Sequence, residues 1–468
     1  MQAVALLEKI NPLLEKGAEV LRESIKSGES ILVISHYDAD GLSAASIFAR
    51  ILEEHGSSFH LVFVEQVYPE VLADFPLEEY DRIIFLDLGS GYKEYLRNAL
   101  GSKQSSVLIV DHHPPSAHPL PRCVEVNPYL AGIDASALSS ASTIAYLLAR
   151  RVSSSAQELV CSAVAGALGD RLDNGEKFSL TGLNAEVVEE AKRLGLIEES
   201  VGLRLFGSKH RPIVFALAAT MDPYIPGISG SESAAYEFLR RVGIEPKIND
   251  ELRSLGSLSK REEALLATEL VKHMLLSGAS VHEAQKVVGY NYYSAREPPG
   301  SPLKDLREHA YLLNALGRME QYSTGVALNL GYKGRFLARA EDTLRAYRRT
   351  LAKFLARVEA EWRELAREGR TGTIIFLEDL SPKLTGSLCS ILTGIFAGRL
   401  RGKKLIGVAA RYDERKWKIS FRRLTDDIDL GEYLRSLAVK VSGVGGGHPA
   451  AGGMLVEEKA LEELLKEL

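Results

Sequence analysis

Short apolar runs, each followed by a polar loop and then by a helical pattern, recur along the first part of the chain. The runs at 31–35, 59–64, 82–86 and 107–110 are continuous and rich in β-branched residues, which is typical of strands buried on both faces. Between Leu42 and Glu54 the apolar positions follow helical spacing. Strands that alternate with helices predict a parallel α/β sheet covered on both faces.

The pattern changes near residue 200. Helical spacing continues through 141–151 and 156–168, and is followed between about 202 and 300 by Pro and Gly punctuation and by charged amphipathic helices such as Lys260–Leu276. We interpret that stretch as a connecting or inserted helical module. A long helical pattern, Glu341–Glu368, precedes a second set of strands and helices that begins at Thr371.

This second set contains the strand patterns T-I-I-F-L, L-I-G-V-A and K-W-K-I-S-F, with helices through 392–398 and 433–441. The predicted fold class is therefore α/β, with an N-terminal parallel-sheet domain and a smaller C-terminal α/β domain. The predicted boundaries are 1–200 for the first domain, 201–320 for the helical module, and 321–468 for the last domain with its preceding long helix.

Composition narrows the class of protein. A chain of 468 residues with 46% apolar residues fits two or three globular domains. No apolar stretch reaches the ~18 residues that a membrane span requires, and the first residues lack a signal pattern, so we expect a soluble, cytoplasmic protein. The net charge of −5 argues against a globally basic nucleic-acid binder but leaves room for a local basic stripe.

Acidic and histidine residues stand at the ends of the predicted strands or beside a helix end. In a parallel sheet the carboxyl ends of the strands meet at one crevice, so these side chains are expected to converge. Each motif alone is more typical of a helix cap, a turn or a surface pair than of a functional site, but four in sheet order favour one site. The set is His36, Asp38, Asp40, Asp87, Asp111, His112, His113 and Asp170.

So many carboxylates in one crevice require protons or cations for neutralisation, since like charges a few ångströms apart repel strongly. Mixed carboxylate and imidazole ligands without thiolates suit Mn²⁺, with Mg²⁺ or Zn²⁺ as substitutes. Two such ions roughly 3.5 to 4 Å apart share a bridging carboxylate in many phosphoryl-transfer sites. The sequence therefore predicts a two-metal phosphoesterase.

These residues resemble the DHH phosphoesterase superfamily, whose name matches the run Asp111-His112-His113. The other motifs match as H-Y-D-A-D-G at 36–41, as Asp87, and as Asp170 in A-G-A-L-G-D-R, while G-V-G-G-G-H-P-A-A-G-G at 443–453 is similar to the DHH-associated domain. The stretches 203–212 and 306–318 resemble the archaeal RecJ-like branch, which is related to bacterial RecJ and to Cdc45.

The resemblance implies roles for individual residues. One metal would be held by His36, Asp38 and a bridging Asp87, and the second by Asp87 together with Asp40, His112 and Asp170. His113 would face the scissile phosphate, and Asp111 would orient a neighbouring imidazole. The segment Ser139–Thr143 departs from the glycine-containing stretch of the relatives, which puts any phosphate contact there in doubt.

The C-terminal domain offers candidate nucleic-acid contacts. Gly446 and Gly447 allow close approach of a phosphate to the backbone, and His448 adds a donor. Ser420 and Arg422 fall on one side of a strand, where the family also places a Ser and an Arg. The surrounding segment 399–423 holds ten Lys or Arg against two acids, a net +8, although such runs are usually a solvated face.

The branch implies an Mn²⁺-dependent exonuclease on single-stranded DNA or RNA in DNA replication or repair, often associated with the GINS complex. Two alternatives remain open. One is a small-substrate phosphoesterase for oligoribonucleotides or cyclic dinucleotides, and the other is a replication scaffold of the Cdc45 type, with the module at 202–300 as the docking surface. Trp417 and Phe421 fit base stacking but are more typical of core residues.

Overall fold

The computed structural model describes residues 2–101, 106–120, 122–207, 209, 211–396 and 399–468. The chain forms two compact units, each built from two separate stretches. The first unit comprises Met1–Arg211 and Val288–Leu344, and the second comprises Pro212–Val287 and Arg345–Leu468. Among the described residues no helix is both long and apolar enough to span a membrane.

The chain up to residue 203 alternates helices with strands. Its elements are α1 (Gln2–Ser27), β1 (Ile31–His36), α2 (Ala39–Glu54), β2 (Phe59–Val64), α3 (Pro69–Leu72), β3 (Arg82–Leu86), α4 (Lys93–Leu100), β4 (Val107–Val110), β5 (Val124–Val126), α5 (Ala135–Leu138), α6 (Ala141–Val152), α7 (Val160–Gly169), α8 (Gly182–Arg193) and β6 (Ile197–Leu203). The first five strands form one parallel sheet in the order β2-β1-β3-β4-β5.

Alternate residues of β1 enter different apolar cores, as the strand pleat requires. Ile31 and Val33 join the core beneath α1, α2, α6 and α7, whereas Leu32 and Ile34 join the core on the opposite face, beneath α4. Both faces of the sheet are therefore buried, and the predicted parallel α/β sheet is confirmed.

The middle of the chain is mainly helical. Its elements are α9 (Ile213–Ala219), α10 (Glu232–Arg241), β7 (Lys247–Ile248), β8 (Glu251–Leu252), α11 (Lys260–Leu276), α12 (Val281–Gln285), β9 (Val288–Ser294), α13 (Leu306–Arg318) and α14 (Tyr322–Asn329). β9 pairs antiparallel with β6 from Ile197↔Ser294 to Leu203↔Val288. This pairing returns the chain to the first unit, where α13 packs on α7 and α2.

The rest of the chain forms α15 (Arg335–Ala360), α16 (Trp362–Leu365), β10 (Ala366–Glu368), β11 (Gly372–Phe376), α17 (Thr385–Ile395), β12 (Leu405–Arg411), β13 (Lys416–Arg423), α18 (Leu430–Lys440), β14 (Val444–Gly447), β15 (Ala451–Glu457) and α19 (Leu461–Glu467). The six strands make a mixed sheet in the order β10-β11-β12-β13-β15-β14. Trp417 and Phe421 lie in its apolar core, as the core interpretation predicts.

Several boundaries differ from the sequence prediction. The long helix begins at Arg335 and ends at Ala360; the short helix α16 follows it, and residues 366–368 pair with β11 as a strand instead of extending the predicted helix. The helix predicted through 392–398 is α17, and residues 397 and 398 lie outside the described residues. The helix α1 was not predicted. The division at 200 and 320 stays a prediction, and the two compact units follow other boundaries.

Candidate metal centre

The predicted acidic and histidine residues meet at the carboxyl ends of β1, β3 and β4. His36 ends β1, Asp87 follows β3, and the run 111–113 follows β4. Asp38 caps α2, where its Oδ1 accepts from the backbone N–H groups of Asp40 and Gly41 at 3.1 Å each. Asp170 stands at the end of α7. The topology of the sheet thus brings distant parts of the sequence to one place.

One group of potential ligands consists of His36, Asp38 and Asp87. The Nδ1 of His36 lies 3.1 Å from Asp38 Oδ2 and 3.3 Å from Asp87 Oδ2. One ligand atom from each of the three residues lies within 4.8 Å of the others. Burial by itself lowers the pKa of His36, but Asp38 and Asp87 outweigh it, so the pKa rises well above its usual value.

A second group lies deeper and consists of Asp40, Asp87, His112 and Asp170, whose ligand atoms also lie within 4.8 Å of one another. The Nε2 of His112 is 3.4 Å from Asp87 Oδ1, 3.3 Å from Asp170 Oδ2 and 3.9 Å from Asp40 Oδ2. Asp40 and His112 are fully buried. The carboxylates of three chain segments therefore surround one imidazole.

Asp87 belongs to both groups and holds an unusual backbone conformation. Its φ of 61° lies in the left-handed region, where a residue other than glycine is strained and where strain often marks a functional site. Within the described residues its buried Oδ1 makes no well-aligned hydrogen bond, and the imidazole nitrogens of His112 and His113 lie 3.4 and 3.8 Å from it. A buried carboxylate oxygen normally has a partner, so this atom fits a cation.

Electrostatics among the side chains also favour a cation here. Burial raises the pKa of Asp40 well above its usual value, and the nearby carboxylates of Asp87 and Asp170 raise it further. The pKa of Asp170 is raised by burial and by Asp38. Bound cations reverse this effect by favouring the ionised carboxylates. The donor set and its charge therefore fit two divalent ions.

The segment that departs from the family pattern supports these ligands. The N-terminus of α6 donates to Asp40, through the backbone N–H of Ala141 to Oδ2 at 2.6 Å and that of Ser142 to Oδ1 at 3.0 Å, and the Ser142 hydroxyl also donates to Asp40. His112 Nδ1 donates to the carbonyl oxygen of Ser139 at 2.9 Å, which directs Nε2 towards the carboxylates.

Replacement of Ser142 by Ala is expected to weaken metal binding by roughly 10- to 100-fold, the usual range when a group that holds a ligand is removed. The backbone donors of α6 remain, so the fold should persist and the loss should appear in affinity. Calorimetric titration with Mn²⁺ measures it. Ser155→Ala removes an exposed hydroxyl that bonds Glu54 and serves as the control; equal Mn²⁺ affinities in the two variants would refute this role for Ser142.

A third group joins Asp87, His112 and His113, and Asp111 lies beside all three groups and belongs to none of them. Its Oδ1 accepts from the backbone N–H groups of His112 and His113 and from His113 Nδ1, at 2.8 to 3.1 Å. Burial opposes ionisation, but His113 and His112 and the Ser90 N–H together hold the pKa of Asp111 below its usual value. An ionised Asp111 keeps the proton of His113 on Nδ1, as the predicted orienting role requires.

The helix α13 supplies contacts that the sequence did not reveal. Asn314 Oδ1 accepts from the Ala39 N–H at 3.2 Å, and its Nδ2 donates to the Gly169 carbonyl at 3.3 Å, so one side chain ties the Asp38 loop to the end of α7. Arg318 donates to Asn314 at 2.9 Å. Burial raises the pKa of Asp38, but His36, with smaller contributions from the Gly41 N–H and Arg318, holds it below its usual value. A Cβ at Gly317 would overlap the Tyr37 carbonyl. The sequence indicates residues 306–318 only through their resemblance to the RecJ-like branch and does not predict these contacts.

The predicted nucleic-acid contacts belong to the second compact unit, whereas the metal ligands belong to the first. Ser420 on β13 is in register with Gly453 on β15, which faces Gly446 on β14, so a strip of sheet without side chains adjoins the Ser420 hydroxyl. That hydroxyl lies 2.8 Å from Thr385 Oγ1. The side-chain-free strip fits the close approach of an anion.

Arg422, Gly447 and His448 flank this strip. Arg422 donates to Ser390 Oγ at 2.8 Å and to the Gly386 carbonyl at 3.0 Å, both on α17. Gly447 has a φ of 145°, which favours glycine, and the His448 N–H donates to the Ala451 carbonyl at 2.8 Å. The residues are thus brought to one end of the sheet, and their contact with nucleic acid stays a prediction.

The basic segment is less positive than its composition suggests. Acids outside the segment pair with four of its cations: Lys403 with Glu368, Lys404 with Asp427, Arg411 with Glu458, and Arg423 with Asp426. Exposed pairs of this kind contribute little to stability, typically ~0 to 1 kcal/mol each, but they offset much of the +8 charge. The segment alone is therefore a weak argument for long substrates.

The parallel α/β sheet, with carboxylates and imidazoles clustered at its strand ends, places this chain among proteins with a candidate two-metal centre. Three family descriptions match it: DHH family, N-terminal domain at residues 30–168; DHH-CID domain at 205–288; and DHHA1 domain at 377–468. Together they span well over half of the chain. The chain belongs to the DHH family and is RecJ-like, as its sequence predicts.

Two relatives are similar in sequence. An uncharacterized protein of Methanocaldococcus jannaschii is 27% identical over 471 residues, which span 98% of this chain and 97% of that protein. The single-stranded-DNA-specific exonuclease RecJ of Thermus thermophilus is 33% identical over 122 residues, 25% of this chain and 18% of RecJ. Homology to a RecJ nuclease is therefore supported, over a limited segment.

Solved structures share the fold. Thermus RecJ in complex with Mn²⁺ matches with a TM-score of 0.54 at 19% identity, covering 97% of this chain and 53% of RecJ. Cdc45 from Entamoeba histolytica matches with a TM-score of 0.62 at 12% identity, covering 96% of this chain and 97% of Cdc45. This chain thus spans about half the length of Thermus RecJ.

Proposed function

We propose that this chain is a metal-dependent phosphodiesterase that removes nucleotides stepwise from an end of single-stranded DNA or RNA. The observation that carries the proposal is the convergence of five potential ligands on Asp87, with an ionised Asp111 holding His113 beside them. Metal-assisted hydrolysis is the chemistry that such a donor set suits.

Two divalent cations are proposed as cofactors, Mn²⁺ first because of the mixed imidazole and carboxylate donors, with Mg²⁺ as the alternative. His36, Asp38 and Asp87 would hold one, and Asp40, Asp87, His112 and Asp170 the other. When bound, they would supply Lewis acidity and neutralise the charge of the phosphoryl group. The Mn²⁺ in the Thermus RecJ structure is consistent with this assignment.

The protein's own groups have distinct tasks. The His113 side chain is about one third exposed, whereas His112 is buried, so His113 is the imidazole that can reach a substrate. Its proton on Nδ1 is held by Asp111, which leaves Nε2 for the phosphoryl oxygens of the scissile bond. Ser420, Arg422, Gly446, Gly447 and His448 are proposed to bind a phosphate of the strand from the C-terminal unit.

The decisive experiment is digestion of single strands labelled at either end, with Mn²⁺ and then with Mg²⁺, over lengths from dinucleotides to several tens of nucleotides. The proposal expects progressive shortening of long strands from one end and little action on a duplex. Hydrolysis confined to the shortest substrates would replace it with the small-substrate phosphoesterase, and no hydrolysis at any length would reject both.

A second candidate function is a replication scaffold that binds the GINS complex, for which the shared fold with Cdc45 is the supporting observation. The module predicted as the docking surface exposes 90% of Leu276 and 64% of Val281, and exposed apolar side chains often mark interfaces. Substitution of both by Glu is expected to weaken binding of purified GINS at least tenfold. Val439→Glu is the control, because Val439 is 82% exposed and lies outside this module. Equal GINS binding by the wild type and both variants would reject this surface.

A further inference from the structure

Behind His113 lies a buried chain of hydrogen bonds that the metal ligands do not use. Lys93 Nζ donates to Glu125 Oε2 at 3.0 Å, and the Ser90 hydroxyl donates to Glu125 Oε1 at 2.7 Å. Asn127 Nδ2 donates to Ser90 Oγ and to the His113 carbonyl, both at 2.9 Å. The chain thus connects a buried ion pair with the backbone of His113.

The backbone of Ser90 makes two further contacts with the same segment. Its N–H donates to Asp111 Oδ2 at 3.0 Å, and its carbonyl accepts from the Ser116 N–H at 2.8 Å. Ser90 therefore contacts the chain on both sides of His113, while its side chain is fastened to Glu125 and Asn127. Ser90 and Asn127 are fully buried, so these contacts are protected from competing water.

The ion pair is costly for a purely structural element. The side chains of Lys93 and Glu125 are only 8% and 11% exposed, and a buried pair often stabilises a fold no more than apolar residues of similar size. Glu125 uses one oxygen for Lys93 and the other for Ser90. The pair thus provides a charged, fixed acceptor for the Ser90 hydroxyl, which is a stronger anchor than a neutral one.

Taking these contacts together, we propose that Ser90 is a positioning residue for the His113 imidazole, anchored by Glu125, whose charge Lys93 neutralises. The anchor joins the ends of β3, β4 and β5, because Ser90 follows β3, His113 follows β4, and Glu125 and Asn127 belong to β5 and the residue after it. It sets the place of His113 relative to Asp87. This inference rests on the proposed hydrolysis and assigns it a further residue.

Ser90→Ala removes the anchor and keeps both backbone contacts possible. We expect kcat to fall roughly 10- to 100-fold, as displacement of about 1 Å at a reacting group costs up to ~100-fold. KM and Mn²⁺ affinity should stay within about twofold, because Asp40 and His112 are held by α6 and Ser139. The double variant Lys93→Met with Glu125→Gln keeps a carbonyl acceptor for Ser90 but removes its charge, so kcat should fall by less than in Ser90→Ala.

A second measurement does not depend on activity. The proton on His113 Nδ1, bound by Asp111, should give a downfield proton resonance, assigned by its loss in His113→Gln. In Ser90→Ala this resonance should shift or broaden, and in the double variant it should persist. An unchanged resonance together with unchanged kcat, or a Mn²⁺ affinity that falls in step with kcat, would overturn the proposal. If the wild-type chain hydrolyses no strand, the proposed function fails and the resonance alone decides the role of Ser90.

Discussion

Asp87→Asn is expected to lower the rate of strand hydrolysis at least ~1,000-fold, equivalent to ~4 kcal/mol of transition-state stabilisation. Among the described residues Asp87 is the one that belongs to every group of potential ligands, so the substitution removes the shared charge while it keeps the size of the side chain. Binding of Mn²⁺ should fall as well, because an amide is a weak ligand and both sites lose one donor. Calorimetric titration and the end-labelled strand assay measure the two effects.

The same substitution should have the opposite effect on the protein without metal. Burial is the main cause of the raised pKa of Asp40 and of Asp170, and repulsion from Asp87 adds to both shifts, so removal of its charge relieves a crowded cluster. The thermal midpoint in chelator should stay level or rise, whereas the increase caused by Mn²⁺ should shrink, since ligand binding stabilises in proportion to affinity.

The exposed Asp74 provides a matched control. Asp74→Asn has the same change of charge in the same domain, and it should leave hydrolysis and the Mn²⁺-dependent thermal shift unchanged. A wild-type rate in Asp87→Asn with Mn²⁺ present would remove the metal centre as the site of hydrolysis. Loss of activity in both variants would point to the change in net charge instead.

The ligand set could be predicted because its determinants are local. Asp87 and the run Asp111–His113 each follow a short apolar strand, and parallel strands present their carboxyl ends on one side of the sheet. A strand pattern followed by a charged residue is therefore enough to place these side chains together. The grouping of Asp87 with its partners agrees with the roles that the resemblance implies, which themselves stay predictions.

The supports of the site depend on tertiary packing and were not predictable. Asn314 contacts the Ala39 N–H across 275 residues of sequence, and its place depends on the pairing of β6 with β9, which carries α13 back onto α2 and α7. Ser142 stood in a segment where the departure from the family pattern suggested a lost contact. Any phosphate contact there stays a prediction, but the structure shows the N-terminus of its helix bonded to Asp40, a role that hydroxyl and backbone donors fill without glycine.

The pairing of the basic segment also depends on tertiary structure, and it agrees with the solvated face favoured for most of its residues. Ten cations in 25 residues suggest a binding surface when counted along the sequence, but partners such as Asp427 and Glu458 come from later elements. The net charge that a basic segment presents can be determined only when its ion pairs with distant residues are known. The glycines and Ser420 at the end of the same sheet depend on strand register, which local patterns also leave undetermined.

Acid destabilisation through His309 is the second large effect that we expect. His309 lies on α13, only 4% exposed, and burial lowers its pKa to about 4, although Glu297 and Asn329 oppose the shift. In the unfolded chain His309 has an ordinary histidine pKa near ~6.5. Between that pH and about 4 the unfolded chain binds a proton at His309 and the folded chain does not. The contribution of His309 to the free energy of unfolding is therefore fully present above pH ~6.5. It is lost as the pH falls towards 4, by about 3 kcal/mol in total.

His309→Gln should remove this part of the pH dependence. The variant is expected to be less stable than the wild type at neutral pH if the imidazole packs well, but its free energy of unfolding should decline less between pH ~6.5 and ~4.5. Urea unfolding in the presence of a chelator measures the wild type and the variant without interference from metal binding.

Since α13 also carries Asn314 and Arg318, loss of its packing at low pH should loosen the Asp38 loop. His118→Gln, at an exposed histidine, should leave the slope unchanged, and parallel slopes for the wild type and His309→Gln would show that His309 does not take up the proton.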